Sequence, residues 1–317
     1  MKIKDIYNLA IELGIKNDLR PKEHIRKLLK RARDKYEKLD AKKKKEFDLE
    51  KLHNPYSDTA VHIDDGRVIK KILTGIDIST GEVVLADRLG DIDLILGHHP
   101  MGKGLANLDD VMHMQADVYS QYGVPIHIAE SLMKPKISEI SRGLSPVNVN
   151  KSIDAAKLLG INIMNVHTPA DNLVATFLKK KIDSKKYEYV GEVLEMLKEI
   201  PEYKKAIEYG QGPRLFCGSE ENRCGKIAVS EITGGTEGSP KMYKYLSEAG
   251  IGTVIGMHQS EDHKKEAEEN HVNIIIAGHI SSDSIGMNLF LDELEKKGIE
   301  IVPCSGITRV RRSSQKI

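Results

Sequence analysis

Two pairs of matching strand ends limit what this chain can fold into. Leu94 to His99 reads LILGHH and Thr253 to His258 reads TVIGMH, so each apolar run closes on a Gly-x-His turn. Ile161 to Asp171 reads INIMNVHTPAD and Val272 to Asp283 reads VNIIIAGHISSD, and both run into His-x-x-x-Asp, His167 to Asp171 and His279 to Asp283. Two copies of a strand–His, strand–HxxxD unit imply an internal duplication. In open α/β sheets, ligands bind where strands end and loops begin, so the four histidine-bearing ends are expected to converge on one cleft.

The intervening sequence supports an α/β fold, because short β-rich apolar runs alternate with helical stretches from Asp58 onward. Strands are predicted at 68–75, 94–96, 126–128 and 161–166, with helices at 80–89, 106–122, 132–143 and 152–160. The second half repeats the rhythm with strands at 226–229, 252–255, 272–276 and 299–303 and helices at 240–249, 264–270 and 286–297. A length of 317 residues suits two such units. They are placed at 57–183 and 184–317, behind a basic helical extension at 1–56 that ends near Asn54-Pro55.

That extension holds 17 Lys/Arg against 10 Asp/Glu, a net of +7, and leaves the rest of the chain at −6, with 31 against 37. Ile25, Leu28, Leu29, Ala32, Tyr36 and Leu39 recur there at helical spacing, and this apolar stripe is expected to pack on the body while Lys42 to Lys45 stay solvated. The whole chain carries only +1, so nucleic acid is not an expected partner. Three scattered cysteines make no disulfide framework, and Cys217 and Cys224 read as ordinary thiols flanking a hairpin. The N-terminus lacks the apolar core of a signal peptide and no run is long enough to span a membrane, so a cytoplasmic protein is expected.

Gly97-His98-His99-Pro100 is the sharpest local motif. The glycine lets the chain turn off its strand and the proline keeps both imidazoles out of a following ladder. Adjacent histidines on extended backbone point to opposite sides, which suits two ions better than one. With His167, Asp171, His279 and Asp283 they form an imidazole and carboxylate set suited to divalent Zn, Mn, Fe or Ni. Such a set can hold two ions with open positions, which activates water at neutral pH. Asp171 and Asp283 are each open to a role as ligand, bridge or orienter, and Asp283 also to helix N-capping. His167 is a ligand or a hydrogen-bonding neighbour of the metals, while His258 and His263 are open to substrate contact, acid/base work or plain surface placement. The glycine-rich segment from Ser230 to Pro240 reads as a strand-to-helix turn, unless it lies over the site.

Taken together, DLILGHHP, NVHTPADN, KIAVSEITGG and AGHISSDSIGMNLFLDEL resemble the NIF-three-like family, also described as GTP cyclohydrolase I type 2 homologues. The resemblance runs over most of Asp58 to Val310. It implies two intertwined α/β repeats with a dinuclear metal site in the cleft between them, the ligands being His98, His99, Asp171, His279 and Asp283, with Asp283 as bridge. Asp283 stands where the family has glutamate, and its TGE turn appears here as Ile255-Gly256-Met257-His258. The segment from Met101 to Asn150 is long and the basic extension lies outside the common core. A homo-oligomer, commonly a hexamer, is implied as well. The function expected is hydrolysis of a nucleotide or related small molecule, with His167 and His258 moving protons; the alternative is a metal-binding regulator or metal-handling protein that docks a partner through its basic helix.

Overall fold

The computed structural model describes residues 1–312, and the last residues of the expected second repeat, 313–317, lie outside them. The chain begins with helices α1 (Ile3–Lys16), α2 (Lys22–Glu37) and α3 (Ala41–Glu46), followed by β1 (Ala60–Ile63), β2 (Lys71–Gly75), α4 (Thr80–Leu89) and β3 (Leu94–Gly97). Short helices α5 (Gly102–Ala106), α6 (Leu108–Val111) and α7 (His113–Gln121) and the longer α8 (Ile126–Leu144) precede α9 (Lys151–Leu159), β4 (Ile163–Asn165) and α10 (Thr168–Asp183). The second half contains α11 (Val190–Lys198), α12 (Pro201–Glu208), β5 (Arg214–Cys217), β6 (Lys226–Glu231), α13 (Met242–Glu248) and β7 (Ile251–Gly256). It ends with α14 (Glu261–Glu269), β8 (Asn273–Ile276), α15 (His279–Glu295) and β9 (Glu300–Pro303).

The duplication is visible in the topology. One sheet runs β1-β4-β3-β2-β9 and the other β5-β8-β7-β6, so the second repeats the order of the first four strands. In each, the outer strand is antiparallel and the other three are parallel, and in each the antiparallel pair carries a register shift, near Val61 and near Leu215. The extra strand β9 comes from the end of the second half and pairs in parallel with β2, Leu73 opposite Val302, so the two units are intertwined.

Helices α10 and α15 follow equivalent strands and lie against each other between the sheets. Ala170, Leu173, Phe290 and Leu291 join the core that holds Ile72 and Leu96, while Val174, Leu178 and Ile285 join the one that holds Val229, Ile255 and Ile275. The close crossing requires glycine at 286, where a Cβ would collide with the Ala170 carbonyl. Helix α1 packs on α10 from behind: Ile3, Ile6, Ala10 and Ile11 are buried, and a Cβ at Gly14 would come within 2.8 Å of Pro169.

Several local expectations give way. The apolar triplet 126–128 opens α8 instead of forming a strand, because Pro125 fits a helix N-terminus and the following residues continue a helical stripe through Ala129, Met133 and Ile137. The predicted helix 106–122 is divided into α5, α6 and α7. Cys217 ends β5, which pairs with β8, so the two cysteines do not flank a hairpin. Of the α2 stripe only Ile25 is fully buried, and Leu28 is 40% exposed. No helix among the described residues is long and apolar enough to cross a membrane.

Candidate metal centre

The strand ends do converge. Beyond β3 the chain stays tied to β2, His98 N–H donating to the Gly75 carbonyl and His99 N–H to that of Ile76, both at 2.9 Å. This holds the two imidazoles side by side, 5.3 Å between centroids, facing the same carboxylate instead of opposite sides. His167 caps α10, and Asp171 lies one turn further on. In the second repeat Gly278, at φ 106°, caps α15, which starts at His279 and carries Asp283 one turn on. An i,i+4 spacing puts each His-Asp pair on one helix face, and the helix N-termini favour the carboxylates. Asp283 is therefore inside α15 and is not its cap.

Asp283 sits at the centre. Its Oδ1 lies 3.4 Å from His98 Nε2, and its Oδ2 lies 3.3 Å from His99 Nε2 and 3.6 Å from His279 Nε2. Asp171 Oδ1 is 3.4 Å from His98 Nε2, and Asp171 Oδ2 is 3.9 Å from His167 Nε2. Three groups have ligand atoms near enough to hold an ion: His98 with Asp171 and Asp283, His99 with His279 and Asp283, and His98 with His99 and His167. Both Asp283 oxygens, Asp171 Oδ1 and His98 Nε2 are buried without a hydrogen-bond partner. Unpaired buried polar atoms are costly, and four of them facing one point are what a cation would satisfy. The residues present fit a divalent metal.

Three of the imidazoles are oriented from behind. His98 Nδ1–H donates to the Val166 carbonyl at 3.0 Å, His99 Nδ1–H to Asp77 Oδ1 at 2.7 Å, and His167 Nδ1–H to Asp58 Oδ2 at 2.7 Å. Each bond fixes the tautomer that leaves Nε2 free for the cluster, the usual arrangement around a metal-ligating histidine. Thr168 Oγ1–H also donates to Asp58, which is fully buried. Asp58 and Asp77 each hold an imidazole of the cluster, and motif spacing missed them because each lies in a different segment of the chain from its histidine. The available signal was position, Asp77 lying just past the end of β2 beside the end of β3.

Electrostatics ties the cluster together. Burial disfavours the His98 imidazolium, but Asp283 and Asp171 outweigh it and hold its pKa well above the usual range. Burial likewise opposes charge on His167, yet Asp171 and Asp58 raise it. For Asp283 burial is outweighed by His98, with His99 and His279, and its pKa falls well below the ordinary carboxylate range. Burial, only partly offset by Asp283, lowers His279.

The glycine-rich segment does lie over this cluster. Glu231, Thr233, Thr236 and Glu237 line one cleft with His167, Asp171, His279 and Asp283, and Thr233 Oγ1–H donates to Asn172 of α10 at 2.7 Å. Gln115 Nε2–H pins the Gly234 carbonyl at 2.8 Å, so the segment is a fastened wall. His258 is in the same cleft, its ring 5.2 Å from that of His279 and its Nδ1 3.6 Å from Glu237 Oε2. His263 is not: it is buried between Ser260 and the Gly238 carbonyl, where it holds the wall. The facing His258 imidazole, against the cost of burial, brings Glu237 down to about 2.

No protein-family model matches the chain, and no curated protein matches it. Solved structures do. The crystal structure of a NIF3 superfamily protein from Sphaerobacter thermophilus is 21% identical, with a TM-score of 0.74 over 96% of this chain and 98% of that one, a span that takes in most of residues 1–56. Reduced HcgD from Methanocaldococcus jannaschii is 18% identical, with a TM-score of 0.53 over 84% of this chain and 97% of that one.

Proposed function

With the NIF3 fold as its scaffold, we propose that this chain is a dinuclear metal-binding protein and a metal-dependent hydrolase of a nucleotide or related small molecule. The observation that supports this best is Asp283, whose two buried, unpartnered oxygens belong to two different donor groups. One ion would be held by His98, Asp171 and Asp283, the other by His99, His279 and Asp283, with His167 as a further donor beside His98 and His99. Asp283 is one methylene shorter than a glutamate, yet its oxygens still reach within 3.6 Å of three imidazoles. Divalent ions of the Zn, Mn, Fe or Ni class would supply Lewis-acid polarisation and bring the pKa of water toward neutrality.

The remaining residues prepare the site for that chemistry. Asp58, Asp77 and the Val166 carbonyl hold three imidazoles in register. His258, 38% exposed at its side chain and paired with Glu237, is placed to exchange protons with solvent. His167 is only 6% exposed and shares the oriented arrangement of His98 and His99, so we read it as a ligand before a proton carrier. A homo-oligomer belongs to the same proposal.

Elemental analysis of the purified chain after metal reconstitution tests the reading. Two ions per chain are expected in the wild type and at most one in His98→Ala, with circular dichroism unchanged. Fewer than two in the wild type would overturn the dinuclear assignment. A nucleotide and phosphoester screen on the same samples tests turnover, which His99→Ala is expected to abolish. Full metal occupancy with no turnover would favour the second reading, a metal-binding regulator that docks a partner through α2, a helix with seven Lys/Arg and only one fully buried residue.

A further inference from the structure

The wall of this cleft carries a carboxyl group for which metal binding has no use. Glu231 is the last residue of β6, the strand equivalent to β2, so it stands close to where Asp77 stands in the first repeat. Asp77 is tied to an imidazole, whereas Glu231 is not. The Tyr243 hydroxyl of α13 donates to its Oε2 at 3.0 Å, and its other oxygen has no hydrogen-bond partner among the described residues. Gly256 leaves the room it occupies, since a Cβ there would come within 3.1 Å of Oε2. The titratable groups facing it are Tyr243 from α13, Tyr119 from α7, His258 on the turn after β7 and Glu237 of the covering loop. No lysine or arginine is paired with it among the described residues. Burial pushes its carboxyl up to about 7, so a proton is present on it in part of the molecules at neutral pH.

We propose that Glu231 is the proton donor to the leaving group of the reaction in this cleft. The inference rests on the hydrolase reading. Water forms the new bond to the electrophilic centre, the bond to the leaving oxygen or nitrogen breaks, and that atom keeps the electron pair and takes the proton from Glu231. The proton lost by the water goes to solvent, and Glu231 recovers one from solvent before the next turnover. His258 at the mouth provides the path for that exchange.

Two ester probes and one binding probe test this on the full, metal-loaded chain. Phenyl phosphate has a poor leaving group that needs a proton, and p-nitrophenyl phosphate a good one that does not. Glu231→Gln is expected to lower kcat/KM for phenyl phosphate by about 100-fold or more and to change that for p-nitrophenyl phosphate only a few-fold. Inorganic phosphate, titrated calorimetrically in buffers of different ionisation enthalpy, should draw a proton onto the wild type at neutral pH and markedly less onto Glu231→Gln. If Glu231→Gln does not fold, Glu231→Asp replaces it: a smaller loss with the same dependence on leaving group is expected. Equal losses on both esters, no loss on either, or unchanged proton uptake would overturn the donor assignment and leave the hydrolase reading standing. A loaded wild type that turns over neither ester nor any nucleotide of the screen would overturn the assignment together with that reading.

Discussion

Glu231 shows what a single side chain can record about its surroundings. Its pKa is raised from the ordinary 4.5 to about 7 by burial. The folded chain therefore holds this proton more tightly than the unfolded chain, and the associated stability is complete below about pH 4.5 and lost as pH rises through about 7. The loss is on the order of 3 kcal/mol. Urea unfolding of the metal-free protein at mildly acid and mildly alkaline pH should show the wild type falling by about that much more than Glu231→Gln; parallel slopes would place the carboxyl in water. At this scale the sequence was informative where chemistry follows spacing. The His-x-x-x-Asp pairs and the His-His turn were readable because their residues are close in the chain. Asp58 is 109 residues from the imidazole it holds, and Glu231 lay within a segment read as a turn, so neither gave a local pattern.

Among the elements, the pair formed by α10 and α15 matters most, because Asp171 and Asp283 come one from each. Gly286 sets their separation. Gly286→Ala puts a methyl group against the Ala170 carbonyl, and overpacking of this kind costs about 1–3 kcal/mol. The expected outcome is a lower Tm together with weaker binding of the first added metal, measured by thermal melting and metal titration on the same variant. A lower Tm with metal affinity intact would show that the donors do not depend on this crossing. Strand ends were legible because apolar β-branched runs before Gly-x-His admit few alternatives. The triplet 126–128 was misread because a three-residue apolar run suits either element, and only the stripe extending to Ile137 decides. The start of α15 was placed too late for a related reason: His279 to Ser284 is mostly polar and reads as a loop, and Ser281 to Ser284 are buried because the site is there.

Across the whole molecule, the first helix of the N-terminal segment, α1, is packed into the core, while α2 and α3 are mostly exposed. Composition marked residues 1–56 as an appendage, since net charge reports on solvent-facing side chains and is silent about α1. Ile3, Ile6, Tyr7 and Ile11 are buried against α10 and its neighbours, and large apolar side chains contribute about 1.5–3 kcal/mol each. Their sum is comparable to the whole stability of a typical domain, about 5–15 kcal/mol. Removing residues 1–16 is therefore expected to leave a chain that no longer unfolds cooperatively and no longer binds metal, as urea denaturation and equilibrium dialysis would show. A truncated chain with normal metal binding would return the segment to the status of an appendage.

The pairing of β9 with β2 has a consequence for biosynthesis. During translation, β2, β3 and β4 leave the ribosome well before the strand that completes their sheet, and until residue 303 has emerged β2 has an open edge. An open edge invites pairing with the wrong strand, and a contact closing across more than two hundred residues forms slowly. The first half of the chain is thus a poor candidate for independent folding. His98 and His99 must wait for His279 and Asp283 before they form a site, so a prematurely terminated chain lacks the donors needed to sequester two ions.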